Sequence, residues 1–153
     1  QRGRVLDQQG APIAGAVLDA WQNAANRFYA VQQPDVQPAT NLRGRYRADA
    51  DGRYEIRAVR PTDYPIPADG PVGKLIKDTG RHEWRAGHMH LKVTAEGYEP
   101  LTTHVFDSGS AYLDSDTVFG VKRSLVGDFV LSQDGLRVCD FDFVLARQQP
   151  TGP

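Results

Sequence analysis

Three of the four histidines in this chain fall between residues 82 and 90, in the run Gly80-Arg81-His82-Glu83-Trp84-Arg85-Ala86-Gly87-His88-Met89-His90. Extended backbone alternates its side chains, so His88 and His90 on one strand point the same way, about 6.5–7 Å apart along the backbone. Two imidazoles so placed can chelate one metal ion. The same short pattern also suits two solvent-facing histidines on an edge strand, and by itself it does not choose between them. Tyr64 stands in Asp63-Tyr64-Pro65-Ile66-Pro67-Ala68-Asp69-Gly70-Pro71. Pro65 confines it to extended backbone and Pro67 stiffens the loop beyond it, so the phenol sits on a rigid support, as a metal donor requires. A tyrosine packing its ring on a sheet edge is the simpler alternative. Arg85, three residues before His88, could balance an anionic ligand or pair with an acid such as Asp63 or Glu83. Tyr29, in Asn26-Arg27-Phe28-Tyr29-Ala30, has no local signature, and Cys139 reads as a buried small residue rather than a nucleophile. The sequence holds no P-loop, dinucleotide fingerprint, Gly-x-Ser-x-Gly elbow or Cys-x-x-Cys pair.

The elements that must position these groups are mostly short strands. Gly3 to Trp21 reads as strand, turn, strand, with Ala16, Leu18 and Ala20 on one face, Val17 and Asp19 on the other, and Gly10 and Pro12 at the turn. Asp51-Gly52 between Tyr46 and the alternating Tyr54, Ile56, Ala58 is a hairpin cue. Four prolines between Pro61 and Pro71 predict an ordered extended loop. Val72 to Asp78 suits one or two helical turns ended by Gly80. His88 to Ala95 is the most regular strand, with Leu101 to Phe106 as its antiparallel neighbour. After an Asp- and Ser-rich loop, Val118 to Leu131 mixes a short helix with a strand, and Arg137 to Leu145 is the last strand. Arg43, Arg45, Arg47, Arg53, Arg57 and Arg60 alternate with apolar or small residues and read as solvated strand faces. About eight short strands with long loops and one or two short helices predict an all-β, mixed or antiparallel β-sandwich. Residues 1–146 form its single domain and 147–153 a flexible tail.

Composition agrees. The 153 residues carry 18 Lys+Arg against 19 Asp+Glu, and the 15 glycines and 10 prolines are many for a helical bundle. A net charge of −1 with no basic block leaves no electrostatic footprint for nucleic acid or anionic membrane. No apolar run approaches the ~18 residues of a membrane span. The lone Cys139 agrees with a reducing compartment such as the cytoplasm. The chain starts at Gln1 rather than Met, so a removed signal or a missing upstream segment stays open.

Together the motifs resemble the intradiol ring-cleaving dioxygenases, non-haem Fe(III) enzymes that open catechols between the two hydroxyl-bearing carbons. The resemblance runs from about Gly3 to Phe143. It rests on Gly3-x-Val5-x-Asp7 with Gly10-x-Pro12-Ile13-x-Gly15-Ala16, on Phe28-Tyr29, on Leu42-Arg43-Gly44 and on Asp51-Gly52-x-Tyr54. Above all it rests on Arg60-Pro61, Tyr64-Pro65-Ile66-Pro67-x-Asp69-Gly70-Pro71-Val72-Gly73, Gly80-Arg81-His82 and Arg85-x-x-His88-x-His90. Carried over residue by residue, it implies an iron site of Tyr29, Tyr64, His88 and His90 with a hydroxide, Tyr64 and His90 being axial. Two phenolates and a hydroxide offset three positive charges, and hard oxygen donors with imidazoles suit ferric iron. The resemblance further implies that a small aromatic diol or triol chelates this iron, reacts with O₂ and opens to a cis,cis-muconate-type dicarboxylic acid. Arg85 would lie beside the ring and stabilise developing negative charge. Ile66 and Pro67 would line the ring pocket.

Tyr-Pro-Ile-Pro with Asp-Gly-Pro-Val-Gly, and Asp116-Thr117-Val118-Phe119-Gly120-Val121-Lys122, look most like the hydroxyquinol and catechol branch. Two departures stand out. Ala86-Gly87 replaces the usual Pro-Ala and should relax the backbone before the first histidine. His104 takes a place often held by glutamine near the substrate, where it could orient a hydroxyl or buffer a proton; a plain inward-facing strand histidine is the alternative. The branch also carries an N-terminal helical region that forms the dimer, and this chain starts at the catalytic sandwich, as a short variant or one whose upstream part is lost. Whether it is a monomer or a homodimer stays open. The rival reading is a non-catalytic transthyretin-like or carboxypeptidase-regulatory-like binding module, which explains only the first turn. A hydroxyisourate hydrolase is disfavoured by the ending Thr151-Gly152-Pro153.

Overall fold

A computed structural model describes residues 1–149 of the chain. Twelve strands, one α-helix and two 3₁₀ turns run in the order β1 Arg2–Asp7, β2 Val17–Trp21, a turn at Ala30–Gln32, β3 Arg43–Arg47, β4 Arg53–Glu55, β5 Tyr64–Pro65, α1 Pro71–Asp78, β6 Trp84–Arg85, β7 His88–Thr94, β8 Leu101–Asp107, a turn at Arg123–Leu125, β9 Val126–Gly127, β10 Val130–Leu131, β11 Arg137–Val138 and β12 Phe143–Leu145. A five-stranded sheet runs β3-β2-β7-β8-β9 and a three-stranded one β12-β1-β4. Pairing is antiparallel except between β1 and β12 and between β8 and β9. Leu18, Ala20, Met89, Leu91, Val93 and Val105 of the larger sheet close one core with Val5, Tyr54, Phe143 and Leu145 of the smaller. The result is the expected all-β sandwich. Leu18, Leu91, Val93 and Val105 have no exposed surface, and each such side chain contributes about 1.5–3 kcal/mol by burial.

The alternation that fills the core also sets the site. With Met89, Leu91 and Val93 turned inward, His88 and His90 face out of the sandwich, and on β8 His104 and Phe106 do the same beside Val105. Strand register pairs Trp21 with His90, His90 with His104, and His88 with Phe106. Long connections then cover this outer face, and His88 has no exposed surface at all.

Two turns expected as hairpins instead pass the chain from one sheet to the other. β1 and β2 lie in different sheets, as do β3 and β4. The turn chemistry holds, since Gly52 has φ +70° and its N–H donates to Asp49 O at 3.1 Å. What overrides simple reversal is burial: the inward residues of β1 and β4 face the other sheet across the core. The expected last strand divides in two, because β11 pairs with β10 whereas β12 pairs with β1. α1 forms where the sequence predicts it, opened by Pro71 and closed by Gly80 at φ +66°. Of the expected tail, Arg147 bridges Tyr98 and Gln148 N donates to Gly97 O at 3.0 Å, while residues 150–153 lie outside the described residues.

Cys139 is fully buried, and burial pushes its thiol up to about 11. At pH 8 the folded protein is therefore expected to resist iodoacetamide, with complete modification only after unfolding. Mass spectrometry of intact protein reads this directly; rapid alkylation of the native fold would mean that the thiol is reachable.

Candidate metal centre

Four side chains from three parts of the chain bring donor atoms together above β7. His88 and His90 arrive from one strand, their Nε2 atoms 3.1 Å apart. Tyr64 arrives on the two-residue ribbon β5–β6, in which it pairs with Arg85. Its ring centroid lies 5.6 Å from that of His88. Tyr29 opens the 3₁₀ turn at Ala30–Gln32, its N–H donating to Gln32 Oε1 at 2.8 Å. Tyr29 Oη is 3.1 Å from Tyr64 Oη and 3.0 Å from His90 Nε2. Every sequence-predicted ligand is thus in one cluster, including Tyr29, which had no local signal.

The surroundings hold the donors in place. His88 Nδ1–H donates to Ala86 O at 2.6 Å, which leaves the Nε2 lone pair free for a ligand. His90 stacks on Trp21 with centroids 4.9 Å apart and planes 1° from parallel. Burial keeps both imidazoles neutral, lowering His88 to about 3 and His90 to about 2, while it pushes the Tyr29 phenol well above its ordinary value. Asp63 anchors the loop before Tyr64 by accepting from Gly87 N at 2.7 Å and Ser110 Oγ at 2.5 Å. Asn23, also fully buried, ties that loop to the segment leading to Tyr29 by donating to Thr62 Oγ1 at 2.9 Å.

Arg85 is 7% exposed and sits beside the cluster, with Nη1 3.4 Å from Tyr64 Oη and 3.3 Å from His88 Nε2. Its partner is neither Asp63 nor Glu83. Asp116 Oδ1 accepts from Arg85 Nε at 3.2 Å and from Ala86 N at 3.2 Å, and Oδ2 accepts from Gly120 N at 2.8 Å. Arg85 Nη2 is buried without a hydrogen-bond partner. A Cβ at position 120 would stand 2.9 Å from that nitrogen, so glycine there lets the guanidinium lie flat against the Asp116 loop. Gly87 is also more than a relaxed link: a Cβ would come within 3.0 Å of Thr62 C, so its bareness lets the Tyr64 loop pass close by.

His104 completes a trio with His88 and His90 whose ligand atoms all lie within 4.8 Å of one another. Ile66 and Pro67 line a separate hollow of about 570 Å³ beside the cluster, shared with Arg27, Phe28, Gln32 and Pro65. His82 stands apart, with Nε2 3.0 Å from Ser115 Oγ and its ring edge-on to Tyr112. Sequence reasoning missed Asp116 and Trp21 as site residues. Asp116 stands in the Asp-Thr-Val-Phe-Gly-Val-Lys motif but far from Arg85 in sequence, and Trp21 becomes a neighbour of His90 only through strand register.

A β-sandwich carrying a largely buried cluster of two phenols and two imidazoles beside a buried guanidinium has the donor set of a metal centre. A family model described as "Dioxygenase" matches residues 1–147. Hydroxyquinol 1,2-dioxygenase of Rhizobium sp. (strain MTP-10005) is 48% identical over 157 residues, which cover 95% of this chain and 53% of that protein. 6-Chlorohydroxyquinol 1,2-dioxygenase of Cupriavidus pinatubonensis is 50% identical over 143 residues, 94% of this chain and 51% of that protein. The solved hydroxyquinol 1,2-dioxygenase of Pseudomonas putida DLL-E4 superposes with a TM-score of 0.90 at 46% identity, over 96% of this chain and 55% of that one. The chain belongs to the intradiol ring-cleaving dioxygenase family, in its catechol and hydroxyquinol branch, a family of non-haem iron proteins. It spans about half the length of the curated relatives it matches. The binding-module alternative gains no support from these matches. Among the described residues no helix is long and apolar enough to cross a membrane.

Proposed function

We propose that the domain binds ferric iron through Tyr29, Tyr64, His88 and His90 and cleaves a catechol-type ring with O₂ to a cis,cis-muconate-type dicarboxylic acid, hydroxyquinol being the substrate favoured by the relatives' names. The observation that carries this reading is the convergence of Tyr29 Oη, Tyr64 Oη and two imidazole Nε2 atoms at neighbour distances of 3.0–3.1 Å. The donor set fits the ion: two phenols that can ionise supply charge and hardness for a trivalent cation, and the imidazoles need lose no proton. Bound there, Fe(III) would supply Lewis-acid and redox activation of a chelated diol toward O₂.

The chain's own groups carry the rest. Ionised to its phenolate, Tyr64 Oη, 3.4 Å from Arg85 Nη1, would accept a proton from an arriving diol and become the neutral phenol. Arg85 supplies a fixed positive charge in a dry site, where an anionic ring gains most from it, and its unpartnered Nη2 leaves a donor to spare. Asp116 acts through Arg85, holding the guanidinium in place. His104, half-buried and one strand away from His90, orients a ring hydroxyl. Ile66 and Pro67, which line the hollow next to Phe28 and Pro65, would bound the apolar side of the ring pocket where that hollow meets the cluster. The buried thiol of Cys139 and a small-molecule substrate fit an enzyme of the cytoplasm.

The visible spectrum tests this. Iron-loaded protein is expected to be wine-red from tyrosinate-to-iron charge transfer, and the band is expected to move when catechol is added. Protein that stays colourless after iron loading would sink the assignment. Assayed side by side, hydroxyquinol and catechol are expected to be consumed faster than protocatechuate; the reverse order would refute the proposed substrate.

A further inference from the structure

The proposed iron ligands account for two of the three imidazoles on the outer face of the large sheet. His88, His90 and His104 occupy three corners of a two-by-two lattice across β7 and β8, with Phe106 at the fourth. Their ring centroids are 4.6 Å apart for His88 and His90, 4.9 Å for His88 and His104, and 4.6 Å for His90 and His104. The interplanar angles of 71° and 84° set His88 edge-on to both other rings, and 57° tilts His90 against His104, without stacking. Three imidazoles around one tetrahedral ion at metal–nitrogen distances of about 2.0–2.1 Å place their nitrogens about 3.4 Å apart. His88 and His90 already stand at 3.1 Å, and no pair in the trio exceeds 4.8 Å. The half-buried His104 ring has side-chain torsions about which to close the remainder.

We infer that the chain holds a second, overlapping metal site, in which His88, His90 and His104 bind a divalent transition-metal ion such as zinc or cobalt(II) and leave a fourth position for water. The inference rests on the proposed iron site only in sharing His88 and His90 with it. The two donor sets answer to different charges. Phenolate oxygens are hard anionic donors, which suit a trivalent ion better than a divalent one. Imidazole nitrogens are neutral donors that suit borderline divalent ions. Tyr29 and Tyr64 therefore select ferric iron and His104 selects divalent ions, and sharing His88 and His90 makes occupancy exclusive. Divalent metal becomes a competitive inhibitor of iron loading, with the residue that distinguishes the two ions on the neighbouring strand.

The experiment is titration of the metal-free full chain with cobalt(II) and zinc, alongside ferric loading followed by its visible colour. Wild type is expected to give the absorption bands of tetrahedral cobalt(II), and zinc to displace them. His104→Gln is expected to weaken both ions at least ~10-fold, the smallest cost seen even for loss of a ligand's supporting partner, while its ferric colour in the absence of substrate persists. Tyr29→Phe is expected to do the opposite, altering the ferric colour and leaving zinc affinity within about twofold. Thermal unfolding of both metal-free variants shows that they are folded, and zinc preloading is expected to slow ferric colour development in wild type but not in His104→Gln. Cobalt(II) affinity unchanged by His104→Gln, or lost with Tyr29→Phe, would overturn the inference. So would wild type that binds no divalent ion yet turns red with iron, a result that leaves the proposed function standing. Divalent binding that depends on His104 in a protein never coloured by iron would support the second site and refute the first.

Discussion

His90→Ala is expected to abolish iron retention and ring cleavage together while leaving the fold intact. The residue sits on the outer face of β7, so its loss opens no cavity in the core formed by Met89, Leu91 and Val93. What it does remove is one of four converging donors and the partner of Tyr29 Oη at 3.0 Å. Loss even of a group that merely supports a ligand costs 10–100-fold in metal affinity, so loss of a ligand is expected to exceed ~100-fold. Dialysed His90→Ala should hold no iron by elemental analysis, show no tyrosinate colour and turn over no catechol, with a melting temperature close to that of metal-free wild type. Iron retained at full stoichiometry would show that the centre lies elsewhere.

The second large effect falls on Arg85 and separates catalysis from stability. Arg85→Gln removes the fixed charge beside the cluster, and loss of such a group costs about 10²–10³ in kcat where the site is dry. It also strands the Asp116 carboxylate, 1% exposed, without its cation, and breaking a buried pair from one side costs about 3–5 kcal/mol. The single variant therefore confounds a catalytic defect with a folding one. Asp116→Asn combined with Arg85→Gln replaces the ion pair by neutral groups that can still hydrogen-bond to each other, the single amide oxygen left at position 116 keeping one of the two backbone donors, Ala86 N or Gly120 N. Stability of the double variant is expected to return most of the way to wild type by thermal unfolding, with iron colour retained and kcat still down by ~10²-fold. A double variant that recovers activity along with stability would show that Arg85 only holds the loop in place.

These effects also mark what could be read from residues alone. Period-two alternation over His88 to Thr94 placed both histidines on one face, because the inward positions Met89, Leu91 and Val93 are apolar. The prolines around Tyr64 announced a stiff extended loop, and it is one, paired through β5 and β6. Tyr29 was legible only through family resemblance: it enters the site from a loop whose course depends on Asn23 and Thr62, contacts that no local pattern encodes. The partner of Arg85 was sought among nearby acids, yet Asp116 reaches it from 31 residues away while Asp63 is engaged by Gly87 and Ser110. The turn residues at Gly10 and Gly52 were correctly placed, but a turn reports that the chain reverses and not which sheet it joins. That choice belongs to the shared core, where side chains distant in sequence decide which faces meet.

The parallel pairing of β1 with β12 sets Val5 against Phe143 and Leu6 against Val144. Contacts of that separation form only once the domain from β1 to β12 is available, which makes closure of the smaller sheet the late and slow step of its folding. The larger sheet, from β2 to β9, draws its strands from residues 17 to 127 and holds both histidines of β7 proposed as ligands. On a ribosome, the strands bearing His88, His90 and His104 would emerge before β12, whereas β1 must wait for a partner more than 130 residues further along the chain. The metal-site scaffold can thus assemble early, while the unpaired edge of β1 is the part of the nascent chain most in need of protection from other strands.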